Sequence, residues 1–252
     1  MSDLRSRDDW PAGRVLVQTA TYNERDNIVP LIEAVLAALP DGQLLVIDDS
    51  SPDGTGEVAM EMAARDPRVH VLVRRGRRGL GSAILEGLQV ARSRGFEISV
   101  YMDADFSHAP ADIPRLVEAV DPPGEKPFDI AIGSRRVPGG GTVGWPLSRH
   151  IASRLVCWFT RWILWVPARD SSGGFRAVRL RMLDRISTEA IAQGYAFQED
   201  FLWRVHRAGG RILEVPITFT DREVGSSKAD VAEMKRSIGS LLRLARITWL
   251  GR

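Results

Sequence analysis

The chain has 252 residues, 44% of them hydrophobic and 26% charged, enough apolar material for one large or two small packed domains, which excludes a disordered or low-complexity polymer. Its 34 basic and 32 acidic side chains leave a formal charge of +2, too small an excess for a nucleic-acid coat, and no nucleic-acid partner is expected. The single cysteine, Cys157, excludes an internal disulfide and any CxxC metal site.

The first 13 residues, MSDLRSRDDWPAG, lack the apolar run of a secretory signal and are expected to form a flexible, frayed segment. From residue 14 to 135 short apolar runs alternate with helix-period segments, the pattern of βα units that build a mostly parallel sheet. Strands are predicted at 15–19, 44–47, 69–73, 98–102 and 130–132. A helix is predicted over 27–39, where Ile28, Leu31, Ile32, Val35, Leu36 and Leu39 recur at three-and-four spacing and Pro40-Asp41-Gly42 ends the run. A shorter helix is predicted over 112–120, with Asp112 as its N-cap and Pro114 in its first turn.

Beyond Arg135, Pro138, the glycines 139–141, Gly144 and Pro146 predict a mobile lid ahead of a Trp-rich surface helix within 147–166. A strand over 211–219 and an amphipathic helix over 229–250 follow, so the second half is expected to cap the first. The most apolar stretches, 155–167 and 241–250, are broken by arginine and fall short of the roughly 20 residues that cross a bilayer. Their interleaved Trp and Arg suit helices lying in a membrane interface, and Trp158, Phe159, Trp162 and Trp165 with Arg154 and Arg161 are the candidates, core packing being the other reading.

In an open α/β sheet, ligands bind outside the carboxyl ends of the strands. Four polar clusters, TATYNERDN, DDSSPDGTG, DADFSH and GSRR, begin where predicted strands stop, so the sheet should gather them at one edge. Asp103 and Asp105, two apart after a buried strand, project alike and suit a hard cation such as Mg²⁺ or Mn²⁺ that bridges carboxylates to phosphates. Asp48 and Asp49 face opposite ways, one toward a ligand and one bracing the turn; alternatively both cap the next helix. The run RRGRRGLGSAILEG follows the third strand, so it reads as a tight turn rather than a dinucleotide fingerprint, with Arg74, Arg75, Arg77 and Arg78 able to meet anionic lipid or phosphate. His108 is placed beside the DAD cluster as a support, since four scattered histidines offer no zinc spacing. No strand leads into SSGGF at 171–175, which speaks against a serine-hydrolase elbow.

Taken in order, TYNE at 21–24, VIDDSSPDGT at 46–55, MDADFSH at 102–108, GSR at 133–135, DSSGGFR at 170–176 and VPITFTDREVGSSK at 215–228 resemble the inverting GT-A glycosyltransferases of family 2. Within them the motifs are similar to those of dolichol-phosphate mannose synthases and their bacterial polyprenol counterparts, over about residues 14–245. The resemblance implies an α/β GT-A fold: a Rossmann-like, mostly parallel sheet flanked by helices, with C-terminal amphipathic helices. It implies one catalytic domain over 14–252, with a nucleotide-sugar half at 14–135 and an acceptor and lid half at 136–252. The implied reaction moves mannose from GDP-mannose to a polyprenyl phosphate, with inversion, using Mg²⁺ or Mn²⁺.

By the same resemblance Ala20, Tyr22, Glu24, Ile47 and Asp49 hold the guanosine part of the donor. Asp103, Ala104 and Asp105 meet ribose, diphosphate and metal; Asp105 is the principal ligand, and Ser107 stands where some relatives use Gln as a second one. Arg135, Arg149, Arg222 and Lys228 match basic positions aimed at the donor diphosphate and the acceptor phosphate, and so join Asp103 and Asp105 as catalytic candidates. Glu199-Asp200 occupies the place of the general base that hydroxyl acceptors require; a phosphate acceptor requires none, and the role of this pair stays open. The implied location is peripheral, on the cytoplasmic face of a membrane, beside a separate membrane-spanning partner. Two other readings are a UDP-glucose-dependent enzyme on the same scaffold and an inactive lipid-carrier-binding subunit; the intact DAD, GSR and DRE clusters argue against the latter.

Overall fold

The computed structural model describes residues 2–5, 10, 13–76, 79–188, 191, 194, 196–221 and 231–251. In chain order the elements are β1 (Ser2–Arg5), β2 (Val15–Thr21), α1 (Arg25–Ala38), β3 (Gln43–Asp48), α2 (Thr55–Arg65), β4 (Val69–Arg74), α3 (Leu80–Ser93) and β5 (Ile98–Asp103). Then come α4 (Ile113–Val120), β6 (Ile130–Ser134), β7 (Gly141–Val143), α5 (Leu147–Trp162), β8 (Arg176–Arg179), α6 (Phe197–Arg207), β9 (Ile212–Pro216), β10 (Thr218–Thr220) and α7 (Val231–Leu250).

Among the described residues, eight strands form one sheet in the order β1-β4-β3-β2-β5-β8-β6-β9. The five strands predicted from apolar runs are all present, and β2, β3, β4 and β5 run parallel. They read as near-continuous apolar segments because helices cover both faces of the sheet. Alternate residues still part ways: Val17, Val46, Val71 and Val100 pack under Ile28, Leu31 and Ile32 of α1, while Leu16, Leu45 and Tyr101 pack under Ala83, Ile84 and Leu88 of α3 and Phe197 and Phe201 of α6. Leu244 of α7 joins this second core.

Several expectations are corrected. Where fraying is expected at the amino end, Ser2–Arg5 pairs antiparallel with β4, and Trp10 stacks on His70 with ring centroids 3.6 Å apart. Asp112 stands at the N-cap position of α4 as expected, but its side chain makes no capping hydrogen bond: it also ends a short 3₁₀ turn, Pro110–Asp112, and its carboxylate accepts from Arg115 at 2.6 Å. The segment read as a mobile lid contains β7, which pairs in parallel with β10. A Cβ on Gly140 would press on the Ser134 carbonyl oxygen, so part of the glycine run serves close backbone approach. The single strand expected over 211–219 is broken at Ile217, β9 continuing the large sheet and β10 pairing with β7. Two elements lack a sequence signal: β8, inserted antiparallel between β5 and β6, and α6. The second half thus adds β8 and β9 to the first half's sheet as well as covering it.

Candidate active site

Strand register sets the site. Ala20 of β2 lies opposite Ile47 of β3 and Asp103 of β5, so three carboxyl ends finish level. Gly174, just before β8, lies 3.5 Å (from its would-be Cβ) from Asp103 Oδ1. The polar clusters therefore share one rim.

The first two clusters are knitted together. Thr21 Oγ1 donates to Asp48 Oδ1 at 3.0 Å and the Ser51 N–H donates to Asp48 Oδ2 at 2.9 Å. The Asn23 and Glu24 N–H groups donate to Ser51 Oγ at 3.1 Å and Thr55 Oγ1 at 3.0 Å. Helix starts are served by Asp53, whose carboxylate accepts from the N–H groups of Thr55 and Arg25. Asp48 is thus the brace of the turn. Asp49 is buried, accepting from the Gly79 N–H at 3.0 Å and facing Arg74 Nε at 3.3 Å; burial pushes its carboxyl up against the pull of Arg74. Arg74 is fully buried between Asp49, Glu86 and Ser82, which removes it from any role at lipid or phosphate. Arg77 and Arg78 lie outside the described residues. Tyr22 is exposed on this rim, whereas the Ile47 side chain is buried in the core under α3, leaving its main chain toward the strand end.

Asp103 opens into a pocket of about 250 Å³ whose lining includes Arg135, Arg149, Gly174, Gln198 and Phe219. Asp105 Oδ1 accepts from the Ser107 N–H at 3.0 Å, Ala104 packs into the core, and the Ser107 hydroxyl is buried without a hydrogen-bond partner. His108 is buried between Phe175 and Phe219, its Nδ1 accepting from the Asp103 N–H at 3.4 Å. Burial depresses its imidazole pKa, Asp103 and Asp105 pull it up, and Arg135 pulls it down, which places all three charged groups within reach of this one ring. Asp103, Asp105 and the orphaned Ser107 hydroxyl make an all-oxygen donor set that fits Mg²⁺ or Mn²⁺. No cluster of three acidic, His or Cys side chains is close enough to cage an ion among the described residues, so phosphate and water oxygens would complete the shell.

Two arginines line the pocket with Asp103. Arg135 is clamped by Asp170, with Nε to Oδ2 at 2.7 Å, Nη2 to Oδ1 at 2.6 Å and its own N–H to Oδ2 at 2.8 Å. Arg149 donates to Asp221 Oδ1 at 2.7 Å. Both guanidinium groups lie over Trp145, at 4.8 and 4.4 Å from its centroid, and at 5.6 Å from that of Phe219. Two like charges are therefore held side by side by two carboxylates and two rings. Arg222 and Lys228 lie outside the described residues. Sequence reasoning missed Asp170, Asp221, Trp145 and Phe219; the signal available was a carboxylate beginning DSSGGFR and another beginning DRE, each unexplained by its own segment.

The Glu199-Asp200 pair divides. Asp200 is fully buried and ties α6 to α7, accepting from Arg204 Nε at 2.6 Å and standing 3.6 Å from Arg243 Nη2. Glu199 is buried, next in sequence to the pocket-lining Gln198, and burial, partly offset by its own backbone N–H and by Arg176, pushes its carboxyl up to about 7. Because the folded state then holds this proton more tightly than the unfolded chain, stability is lost as pH rises from about 4.5 toward about 7 and is level above, a span of roughly 3 kcal/mol at most. Glu199→Gln is expected to flatten that fall, raising Tm at pH 8 relative to the parent; parallel Tm profiles for the two proteins would refute a titrating Glu199.

One further surface stands out. Leu147, Ile151, Leu155, Trp158 and Trp162 form an exposed stripe along α5, with Trp165 and Trp249 in ring contact at 5.7 Å beside it. Phe159, expected on that stripe, instead packs inward on the core. Among the described residues no helix is long and apolar enough to cross a membrane.

The sequence profile of glycosyl transferase family 2 matches residues 17–201. The polyprenol monophosphomannose synthase of Mycolicibacterium smegmatis is 44% identical over 230 residues, 90% of this chain and 85% of that protein. The undecaprenyl-phosphate mannosyltransferase of Micrococcus luteus is 45% identical over 216 residues, 85% of this chain and 87% of that protein. Among solved structures, glucosyl-3-phosphoglycerate synthase from Mycobacterium tuberculosis with Mn²⁺, UDP-glucose and phosphoglyceric acid matches with a TM-score of 0.69 at 19% identity, over 92% of this chain and 80% of that one. The same synthase with Mg²⁺ and UDP matches at 0.67 and 19%, over 95% of this chain and 85% of that one, a likeness of fold. With a profile spanning most of its length and relatives at 44–45% identity across nearly all of it, the chain belongs to glycosyl transferase family 2 and is a glycosyltransferase.

Proposed function

We propose that the protein transfers mannose from GDP-mannose to a polyprenyl phosphate, inverting the anomeric carbon. The observation that carries this reading is the pocket in which Asp103 faces Arg135 and Arg149, one acidic strand end against two cations. The two relatives named for mannosyl transfer to polyprenyl carriers support the substrate class.

Ala20, Tyr22, Glu24, Asp49 and the main chain of Ile47 hold the guanosine end on the first rim. Asp103 and Asp105, with Ser107 beside them, hold a divalent cation, which when bound neutralises charge on the departing diphosphate. Arg135 is oriented by Asp170 and cannot swing away, so it supplies a fixed positive field. Arg149, less buried and held by one bond to Asp221, is free to reach the incoming phosphate. The two charges lower the repulsion between acceptor and leaving group as the sugar becomes oxocarbenium-like. A phosphate monoester has its second pKa near ~6 and attacks as an oxyanion at neutral pH, so no general base is needed. The family resemblance assigns Arg222 and Lys228, which lie outside the described residues, to the same task.

On this reading the protein sits peripherally on the cytoplasmic face of a membrane, beside a separate spanning partner, and the exposed tryptophans of α5 support its contact with the membrane surface. The test offers GDP-mannose and UDP-glucose in parallel to a short polyprenyl phosphate, with and without chelator. Mannosyl transfer that chelation abolishes and Mg²⁺ or Mn²⁺ restores is expected; glucosyl transfer at an equal or greater rate would overturn the donor assignment.

A further inference from the structure

Against α5, with no lining residue in common with the Asp103 pocket, lies an open cleft of about 280 Å³ lined by Arg136, Arg154, Cys157, Trp158, Arg161 and Arg169. We propose that this cleft binds the phosphate of an anionic bilayer lipid and so fixes how the enzyme sits on the membrane, a role that depends on the membrane reading above.

The charges in the cleft are unusual in having so little to balance them. Between residues 137 and 169 the chain carries four arginines and no Asp or Glu. Among the described residues, Arg154, Arg161 and Arg169 have no carboxylate within 4.0 Å. The Asp170 carboxylate lies 3.8 Å from Arg136 Nε, but both of its oxygens are taken by Arg135. Arg136 Nε is buried without a hydrogen-bond partner, while its Nη2 is spent on Ser153 at 2.7 Å. Glu214, the other nearby acid, is occupied by the main-chain N–H groups of Arg169 and Asp170 and by the Ser134 hydroxyl. A group of guanidiniums that lacks its own anions is a phosphate site awaiting one.

The neighbouring apolar stripe identifies where that phosphate comes from. Leu147, Ile151, Leu155, Trp158 and Trp162 follow one another at steps of four, four, three and four residues, so they share one face of α5. Arg154 and Arg161 stand four residues before and three after Trp158, which puts cations along the border of the apolar face. A free phosphate has no use for the stripe; a bilayer needs both halves, apolar side chains below the headgroups and cations level with them. The cleft is therefore distinct in purpose from the Arg135 and Arg149 pair, which faces the reacting groups.

The experiment compares the parent with Arg154→Gln/Arg161→Gln/Arg169→Gln, and with Arg65→Gln/Arg115→Gln/Arg181→Gln, which removes the same charge elsewhere. Binding is measured by flotation with phosphatidylcholine vesicles, with and without phosphatidylglycerol, and with inorganic phosphate as competitor. The cleft variant is expected to lose about 100-fold in affinity for the anionic vesicles, several-fold per arginine. The control should lose far less, and turnover of a short water-soluble acceptor should be unchanged in both. Equal losses in the two variants would reduce the effect to bulk charge, and full displacement by millimolar inorganic phosphate would make the cleft a free-anion site; either result overturns the proposal. A shift in oligomeric state without vesicle binding would make this face a protein interface and also overturn it. If the parent binds no vesicle at all, the membrane reading falls with it, whereas parent binding that ignores the three arginines sinks the cleft alone.

Discussion

Asp105→Asn is expected to lower sugar transfer by on the order of 10²–10³-fold while leaving the protein folded. The reason lies in what asparagine keeps and what it loses. Its Oδ1 still accepts the Ser107 N–H that Asp105 accepts at 3.0 Å, so the turn after β5 keeps its shape. It loses the negative charge that attracts a hard cation and, through it, the donor diphosphate. The variant should therefore unfold within a degree or two of the parent and respond weakly to added Mn²⁺. Asp103→Asn tests a different property. The Asp103 carboxylate lines the pocket and also bears on His108, so its loss should impair both donor affinity and turnover. Asp105→Asn activity within about tenfold of the parent, at saturating cation, would remove Asp105 from the metal assignment.

The part of this site that the sequence announces is the part that strand physics places. Buried parallel strands are apolar over most of their length, so a polar cluster that begins where the apolar run stops marks a carboxyl end, and level register brings Ala20, Ile47 and Asp103 together. Asp48 and Asp49 show where this reasoning stops. Opposite projection is legible from adjacency, but which carboxylate braces the turn depends on Thr21 and Ser51 on one side and on the buried Arg74 on the other. Arg74 itself is misread from sequence because a run of arginines looks solvated, yet this one is neutralised by Asp49 and Glu86.

The strand β8 is illegible for a related reason. It is four residues long and begins with Arg176, fully buried because the carbonyl oxygens of Gly173, Ser171 and Gln198 accept from its guanidinium. Local pattern has no access to such partners. The same holds for the clamps on the two pocket arginines: Asp170 reaches Arg135 across 35 residues and Asp221 reaches Arg149 across 72. A glycine-rich loop announces a turn, but that β7 then pairs with β10 is decided by long-range hydrogen bonding alone.

Asp170→Ala is expected to destabilise the protein by about 3–5 kcal/mol, lowering Tm by about 10 °C, and to depress activity more than any substitution outside the pocket. Asp170 is fully buried and accepts three hydrogen bonds from Arg135. Removing it strands a guanidinium that is itself almost fully buried, with no other carboxylate within 4.0 Å of it among the described residues. Burial pushes the Asp170 carboxyl up, but the bonds and charge of Arg135 outweigh this and hold it below the usual 3.8. Its contribution is therefore present above the unfolded value of 3.8 and is lost as pH falls through the lower folded value, so parent and Asp170→Asn should converge in stability only in strong acid. Structural and chemical roles are separated by pairing the substitutions. Asp170→Leu with Arg135→Met replaces the ion pair by apolar groups of similar volume, and most of the lost Tm should return. Sugar transfer should stay at the level of the single variant, because the cation proposed to meet the diphosphate is gone. Recovery of activity together with stability would show that Arg135 acts only as scaffold, leaving Arg149 to carry the pocket's charge.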